Sequence, residues 1–122
     1  MKNQSKKILI VEDELIIALT IEKMVQRLGH QVVGTVTSGE QAVNLVLENT
    51  PDLILMDIRL QGELDGIETM EEIRKQTNTP VIYITGNTDE QNKNRVKESD
   101  YLAFLTKPIS IHDLDQSFNF AS

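Results

Sequence analysis

Four short apolar runs in this chain each lead into residues capable of polar chemistry. Ile8–Val11 runs into Glu12, Asp13 and Glu14, and Leu53–Met56 into Asp57. Val81–Ile84 is followed by Thr85 and Gly86, and Tyr101–Leu105 by Lys107 and Pro108. Taken singly these are ordinary residues: an acid after a strand caps a helix or starts a turn, and a lysine there is a surface lysine. Taken together they describe a site. Clustered carboxylates repel and raise one another's pKa unless a cation neutralises them. With oxygen ligands only, the natural occupant is Mg²⁺, which keeps several waters and takes one or two carboxylates. A Mg²⁺ beside an aspartate and a lysine suits a phosphoryl group. The two cations draw charge from its oxygens, and the carboxylate can attack phosphorus as a nucleophile. On this reading Asp57 is expected to become an aspartyl phosphate.

These residues need elements that bring them to one place. Apolar runs without polar alternation read as strands buried on both faces, as in parallel sheets. Gln31–Val36, interrupted by Gly34, is a weaker fifth run. Helical spacing fills the intervals. In Leu15–Leu28 the residues Ile17, Ile21, Met24 and Leu28 fall on one stripe, and Gly29 stands just past the end. Ser38-Gly39-Glu40-Gln41 and Asp65-Gly66-Ile67-Glu68 read as capping boxes that open a second and a third helix. Ala42, Val43, Val46 and Leu47 supply the apolar side of the second, and Ile67, Met70 and Ile73 that of the third. Thr88-Asp89-Glu90-Gln91 opens a fourth, in which Val96 is the one sizeable apolar residue as far as Ser99. Such a helix is weakly held, and a short or mobile element is expected. Ser110 caps a fifth, with Ile111, Leu114 and Phe118 spaced for packing. Strict alternation of strand and helix implies an α/β fold: a parallel sheet with right-handed crossovers and helices on both faces. Ligands bind such open sheets at the carboxyl ends of the strands, where the chemically able residues lie.

Composition narrows the possibilities. The 122 residues fit a single domain, 1–122, with its core over roughly residues 6–118. There is no Cys, which removes disulfides, thiolate metal sites and cysteine nucleophiles. A net charge of −7 argues against direct nucleic-acid binding, and three Phe, two Tyr and no Trp make poor stacking platforms. The longest purely apolar run, Leu15–Leu19, is too short to span a membrane, and Lys6-Lys7 precedes too short an apolar stretch to act as a signal peptide. A soluble, cytoplasmic domain is expected. His30 follows Gly29 and His112 lies in the first turn of the last helix; both read as surface or capping residues rather than phosphorelay histidines.

Ile-Leu-Ile-Val-Glu12-Asp13-Glu14, then Leu-Ile-Leu-Met-Asp57, then Ile-Thr85-Gly86, then Lys107-Pro108 closely resembles the receiver domains of two-component response regulators, chemotaxis-regulator-like in extent. The resemblance implies a three-layer, doubly wound flavodoxin-like (βα)5 fold with sheet order 2-1-3-4-5. It implies that Asp57 is the phosphoacceptor and that Mg²⁺ is the cofactor. Asp13, Asp57 and the Arg59 backbone carbonyl would bind the metal, with Glu12 acting directly or through water. Thr85 and Lys107 would contact phosphoryl oxygens, the Lys107–Pro108 bond would often be cis, and Phe104 would sit at the aromatic switch position. The implied partners are a sensor histidine kinase or histidine phosphotransfer protein as donor, and a downstream effector. A phosphorylation-dependent dimer is possible in this class. The surface expected to respond is made by the fourth helix, fifth strand and fifth helix.

Two departures from the common receiver pattern stand out. The loop Ile58–Gly66 is longer than usual and places the cationic Arg59 beside the site. The chain also stops soon after Phe118, as expected of a stand-alone receiver or of a piece of a longer protein. Three other readings fit these residues less well. An aspartate-nucleophile phosphatase of the haloacid dehalogenase type would carry a second Asp where Arg59 stands. A flavin module would find its phosphate repelled by Glu12-Asp13-Glu14. A pseudo-receiver acting only as an interaction module would not need the full set of site residues.

Overall fold

The structure, a computed structural model, describes residues 5–86, 94–97 and 100–120. Five strands, β1 (Lys7–Val11), β2 (Gln31–Val36), β3 (Leu53–Asp57), β4 (Val81–Gly86) and β5 (Ala103–Lys107), form one sheet in the order β2-β1-β3-β4-β5. Every adjacent pair is parallel. This is the flavodoxin-like arrangement expected. β5 starts at Ala103 rather than Tyr101 and extends to Lys107, so Lys107 is the last residue of the strand and not one that follows it.

The continuous apolar runs have a direct cause. β1, β3 and β4 are central and buried on both faces, so successive side chains feed two separate cores. Ile8, Ile10, Leu53, Leu55, Ile82 and Ile84 pack with Ile21 and Val25 of helix α1 (Leu15–Arg27) and with Leu114 and Phe118 of the C-terminal helix (Ile111–Asn119). Leu9, Val11, Ile54, Met56, Val81 and Tyr83 face the other way. They meet Ala42 and Val46 of α2 (Gly39–Asn49) and Ile67, Met70 and Ile73 of α3 (Gly66–Arg74). The stripe of α1 is turned slightly from the expected one: Ala18, Ile21 and Val25 are buried, while Ile17, Met24 and Leu28 pack at its margin. Gly29 follows the helix with φ +91°, a conformation that needs no Cβ.

The caps decide where each helix starts. Asp65 and Glu68 form the full reciprocal box on α3, at 2.8 and 2.9 Å. Ser110 accepts the Asp113 N–H at the C-terminal helix. The box expected at Ser38–Gln41 is only half made: Ser38 Oγ accepts the Gln41 N–H, but the Gln41 side chain reaches one residue further back, to the Thr37 N–H at 3.0 Å. Of the fourth helix expected from Thr88, Thr88–Lys93 and Glu98–Ser99 lie outside the described residues. Residues 94–97 form a turn whose Val96 packs against the α2/α3-side core.

His30 corrects a sequence expectation. It is buried, 8% exposed, rather than on the surface. Its Nδ1 accepts the Lys6 N–H at 3.0 Å, and its ring stands edge-on to Phe118 at 4.9 Å. An apolar partner from the far end of the chain closed over it, which local sequence does not reveal. His112 is exposed, as expected.

Candidate functional site

The site lies at the carboxyl edge of the sheet, where β1, β3, β4 and β5 end together. Glu12, the residue just past β1, is carried into the interior, 1% exposed, because Ile8–Val11 before it are buried and the Glu12 N–H is held by the Val36 carbonyl of β2. Asp13, half-buried, points into an open cleft of about 460 Å³. That cleft is also lined by Glu14, Asp57, Arg59, Leu60, Gln61, Gly86 and Lys107. Asp57 ends β3 in register with Ile84 and is 2% exposed. Its position is fixed from below by close approach of α3. The Gly66 N–H donates to the Ile58 carbonyl at 2.8 Å, and a Cβ on Gly66 would collide with the Asp57 carbonyl.

Glu12, Asp13 and Asp57 each offer a carboxylate oxygen, and these oxygens lie within 4.8 Å of one another. Two such charges repel by about 3 kcal/mol at the effective dielectric of a partly buried site. Lys107 answers part of this. Its Nζ is 3.1 Å from Asp57 Oδ2, 3.2 Å from Glu12 Oε1 and 3.9 Å from Glu14 Oε1. The contact with Asp57 is a hydrogen bond, whereas the Glu12 contact is an ion pair without hydrogen-bond geometry. Burial works against the Lys107 charge, but Asp57 and Glu12 outweigh it and raise its pKa above the ordinary lysine value. Four carboxylates, Glu12, Asp13, Glu14 and Asp57, gather here against the cations Lys107 and Arg59, which leaves the site short of positive charge. Glu12 registers the shortfall: burial, with help from Asp57, pushes its carboxyl up to about 7, against the opposing Glu14 N–H and Lys107.

This chemistry fits a divalent cation. The donors are all oxygen, they converge, and the buried Glu12 Oε1 has no hydrogen-bond donor among the described residues. Asp57 Oδ1 accepts the Arg59 N–H at 3.1 Å, which turns the backbone of that residue along the cleft.

The remaining sequence candidates fall less directly on the cleft. Gly86 lines it, while Thr85, one residue earlier in β4, is 4% exposed and its Oγ1 has no hydrogen-bond partner among the described residues. Phe104 is half-buried and packs its ring on Tyr83 at 5.2 Å and on Tyr101 at 4.6 Å. Tyr83 and Tyr101 were not singled out from sequence, because an aromatic in an apolar run reads as core. The Lys107–Pro108 bond is cis. The Gln61 main-chain N–H, which donates to Asp13 Oδ2 at 3.2 Å, was also missed. No side-chain signal marks a backbone donor.

The family described as response regulator receiver domain matches residues 8–119. The transcriptional regulatory protein PdtaR of Mycobacterium tuberculosis is 31% identical over 116 residues, which are 95% of this chain and 56% of PdtaR. The chain thus spans about half the length of that relative. The signal receiver domain of a modulated diguanylate cyclase from Desulfovibrio desulfuricans G20 is 35% identical, with a TM-score of 0.89 over 97% of this chain and 94% of that one. The receiver domain of the PhyR response regulator from Erythrobacter litoralis is 33% identical, with a TM-score of 0.83 over 96% and 89%.

Proposed function

The chain belongs to the response regulator receiver domain family of two-component signalling, and from that premise we propose that it takes a phosphoryl group from a phosphohistidine onto Asp57 in a Mg²⁺-dependent step. Receiver domains are signalling domains rather than enzymes in the usual sense, and they generally partner with histidine kinases. The observation that carries the reading is the Asp57 carboxylate itself. It is nearly buried, held by Lys107 Nζ on one oxygen and by the Arg59 N–H on the other, inside a cluster short of positive charge.

Asp13, Asp57 and the Arg59 carbonyl would hold Mg²⁺, with Glu12 directly or through water, and the ion would neutralise the cluster and draw charge from the phosphoryl oxygens. A carboxylate oxygen of Asp57 attacks phosphorus in line, an O–P bond forms, and the P–N bond to the donor imidazole breaks. Lys107 stays paired with the anionic group as charge shifts onto its oxygens. The Thr85 hydroxyl, which has no partner among the described residues, turns toward a phosphoryl oxygen, and Phe104 moves inward in response. That rearrangement alters the surface around β5 and the C-terminal helix, which an effector or a second copy would read. The domain spans the whole chain, with donors being a sensor histidine kinase or histidine phosphotransfer protein.

Intact mass after incubation with acetyl phosphate tests this. A Mg²⁺-dependent gain of one phosphoryl group is expected for the unaltered protein and none for Asp57→Asn. A gain of the same size in Asp57→Asn would overturn the acceptor assignment. No gain in the unaltered protein, from acetyl phosphate or from phosphohistidine donors, would leave a module that signals by binding alone.

A further inference from the structure

Each carboxylate of the acidic triad accepts one main-chain N–H. Glu12 Oε2 accepts from Glu14, Asp57 Oδ1 from Arg59, and Asp13 Oδ2 from Gln61. The first two donors lie two residues beyond their acceptors, so any chain that turns after the strand supplies them. The third is different: Gln61 is 48 residues from Asp13 and reaches it only because the long loop after β3 folds back across the cleft. That loop is tied down on both sides. Leu60 is 9% exposed and packs into the core on the α2/α3 side, the Leu60 N–H donates to the Ile58 carbonyl at 3.2 Å, and Asp65 is fixed by its capping box.

We propose that the Gln61 main-chain N–H is a positioning group for Asp13, so that the extra length of this loop sets how tightly the acidic site holds Mg²⁺. The inference rests on the reading of the site as a Mg²⁺ site. A carboxylate has about four lone-pair positions. A donor on Oδ2 fixes the rotation of the Asp13 group and leaves its other positions for a cation. Outer-shell partners of metal ligands commonly change affinity by about 10- to 100-fold when removed. Here the donor is exposed and the bond is 3.2 Å long, so the expected change is smaller, about three- to tenfold.

Calorimetric titration with MgCl₂ tests it on three proteins: unaltered, Gln61→Pro and Gln61→Ala. Proline removes the N–H and leaves every carboxylate in place; alanine keeps the N–H. Gln61→Pro is expected to weaken Mg²⁺ about three- to tenfold, Gln61→Ala to bind as the unaltered protein does, and excess Mg²⁺ to restore phosphorylation of Gln61→Pro by acetyl phosphate. Equal affinity in Gln61→Pro would overturn the inference and leave the receiver reading intact. Equal weakening in both variants would assign the effect to the side chain and overturn it too. An unaltered protein that binds no Mg²⁺ would overturn both. Hydrogen exchange at the Gln61 N–H of the unaltered protein gives a reading that needs no variant. Exchange should slow on adding Mg²⁺, and unchanged or faster exchange would count against the proposal.

Discussion

The two edges of the sheet treat buried polar groups in opposite ways. At the edge where the strands begin, polar groups are paired. The buried His30 accepts the Lys6 N–H, and even the exposed Asp52 is paired, accepting the Lys7 N–H at 2.8 Å while giving its own N–H to the Lys7 carbonyl at 2.7 Å. Thr79 shares a hydroxyl bond with Thr77 and receives Arg74 on its carbonyl. At the edge where the strands end, Glu12 Oε1 and Thr85 Oγ1 are buried without hydrogen-bond partners among the described residues, and Glu12, Glu14 and Asp57 share the Lys107 ammonium. Glu12 Oε1 keeps its ion pair with Lys107, but a buried hydroxyl left without a partner, as at Thr85, costs about 1–3 kcal/mol. The same sheet carries both edges, so the difference is not a matter of fold. The first edge is arranged for the folded chain alone, and the second suits the cation and phosphoryl group proposed to bind there.

The largest test of this contrast is Asp57→Asn. Loss of the nucleophile should reduce phosphoryl uptake at least about 100-fold, yet thermal unfolding without Mg²⁺ should show no loss of stability, because one repelling carboxylate is gone. A variant that loses both uptake and stability would mean that Asp57 is held in place for the fold. Next in size is Glu12→Gln. A buried carboxyl raised from 4.5 to about 7 opposes folding at neutral pH, by about 3 kcal/mol if fully realised. The neutral isostere should therefore stabilise the Mg²⁺-free protein by about 2 kcal/mol in urea unfolding at pH 7.5, and should weaken Mg²⁺ binding. Destabilisation would mean that the edge was satisfied after all.

Much of this was legible in the sequence, and the reasons differ by element. β1, β3 and β4 could be read because burial on both faces demands unbroken apolar runs. The residues at their carboxyl ends could be read because order and spacing put Glu12, Asp13, Asp57 and Lys107 on one edge. β5 was misplaced by two residues, since Tyr101 and Leu102 are apolar for packing and not for strand pairing. The burial of His30 is not legible locally, because it depends on Phe118 near the other end of the chain. The Gln61 donor was invisible, since a main-chain N–H looks the same at every residue. Local pattern reports what a residue needs from its own element; contacts supplied from elsewhere leave no mark on it.

A smaller effect should come from Mg²⁺ itself. At ten times its dissociation constant, a ligand that binds only the folded chain adds about 1.4 kcal/mol. The unaltered protein should show that gain as a raised Tm on adding MgCl₂, and Asp13→Ala should not. An equal rise in both would place the ion away from the acidic edge.

The finest test sets the two edges against each other by pH. Glu12 binds its proton more readily folded than unfolded, so its contribution is present in acid and is lost as pH rises through about 7. His30 is the reverse. Burial, and then the nearby Lys6 charge, lower its pKa from 6.5, against a smaller opposing pull from Asp115. Its neutral Nδ1 is also the atom that accepts the Lys6 N–H, which a protonated ring cannot do. The unfolded chain therefore takes up the proton first, and stability from His30 is present above pH 6.5 and falls as pH drops below it. His30→Asn keeps an acceptor but neither titrates nor stacks on Phe118. It should be less stable than the unaltered protein at pH 7.5 by about 1 kcal/mol, and the gap should narrow as pH falls toward 5.5. A gap that stays constant would show that His30 serves only as packing, and the pairing at that edge would then carry no proton-linked part.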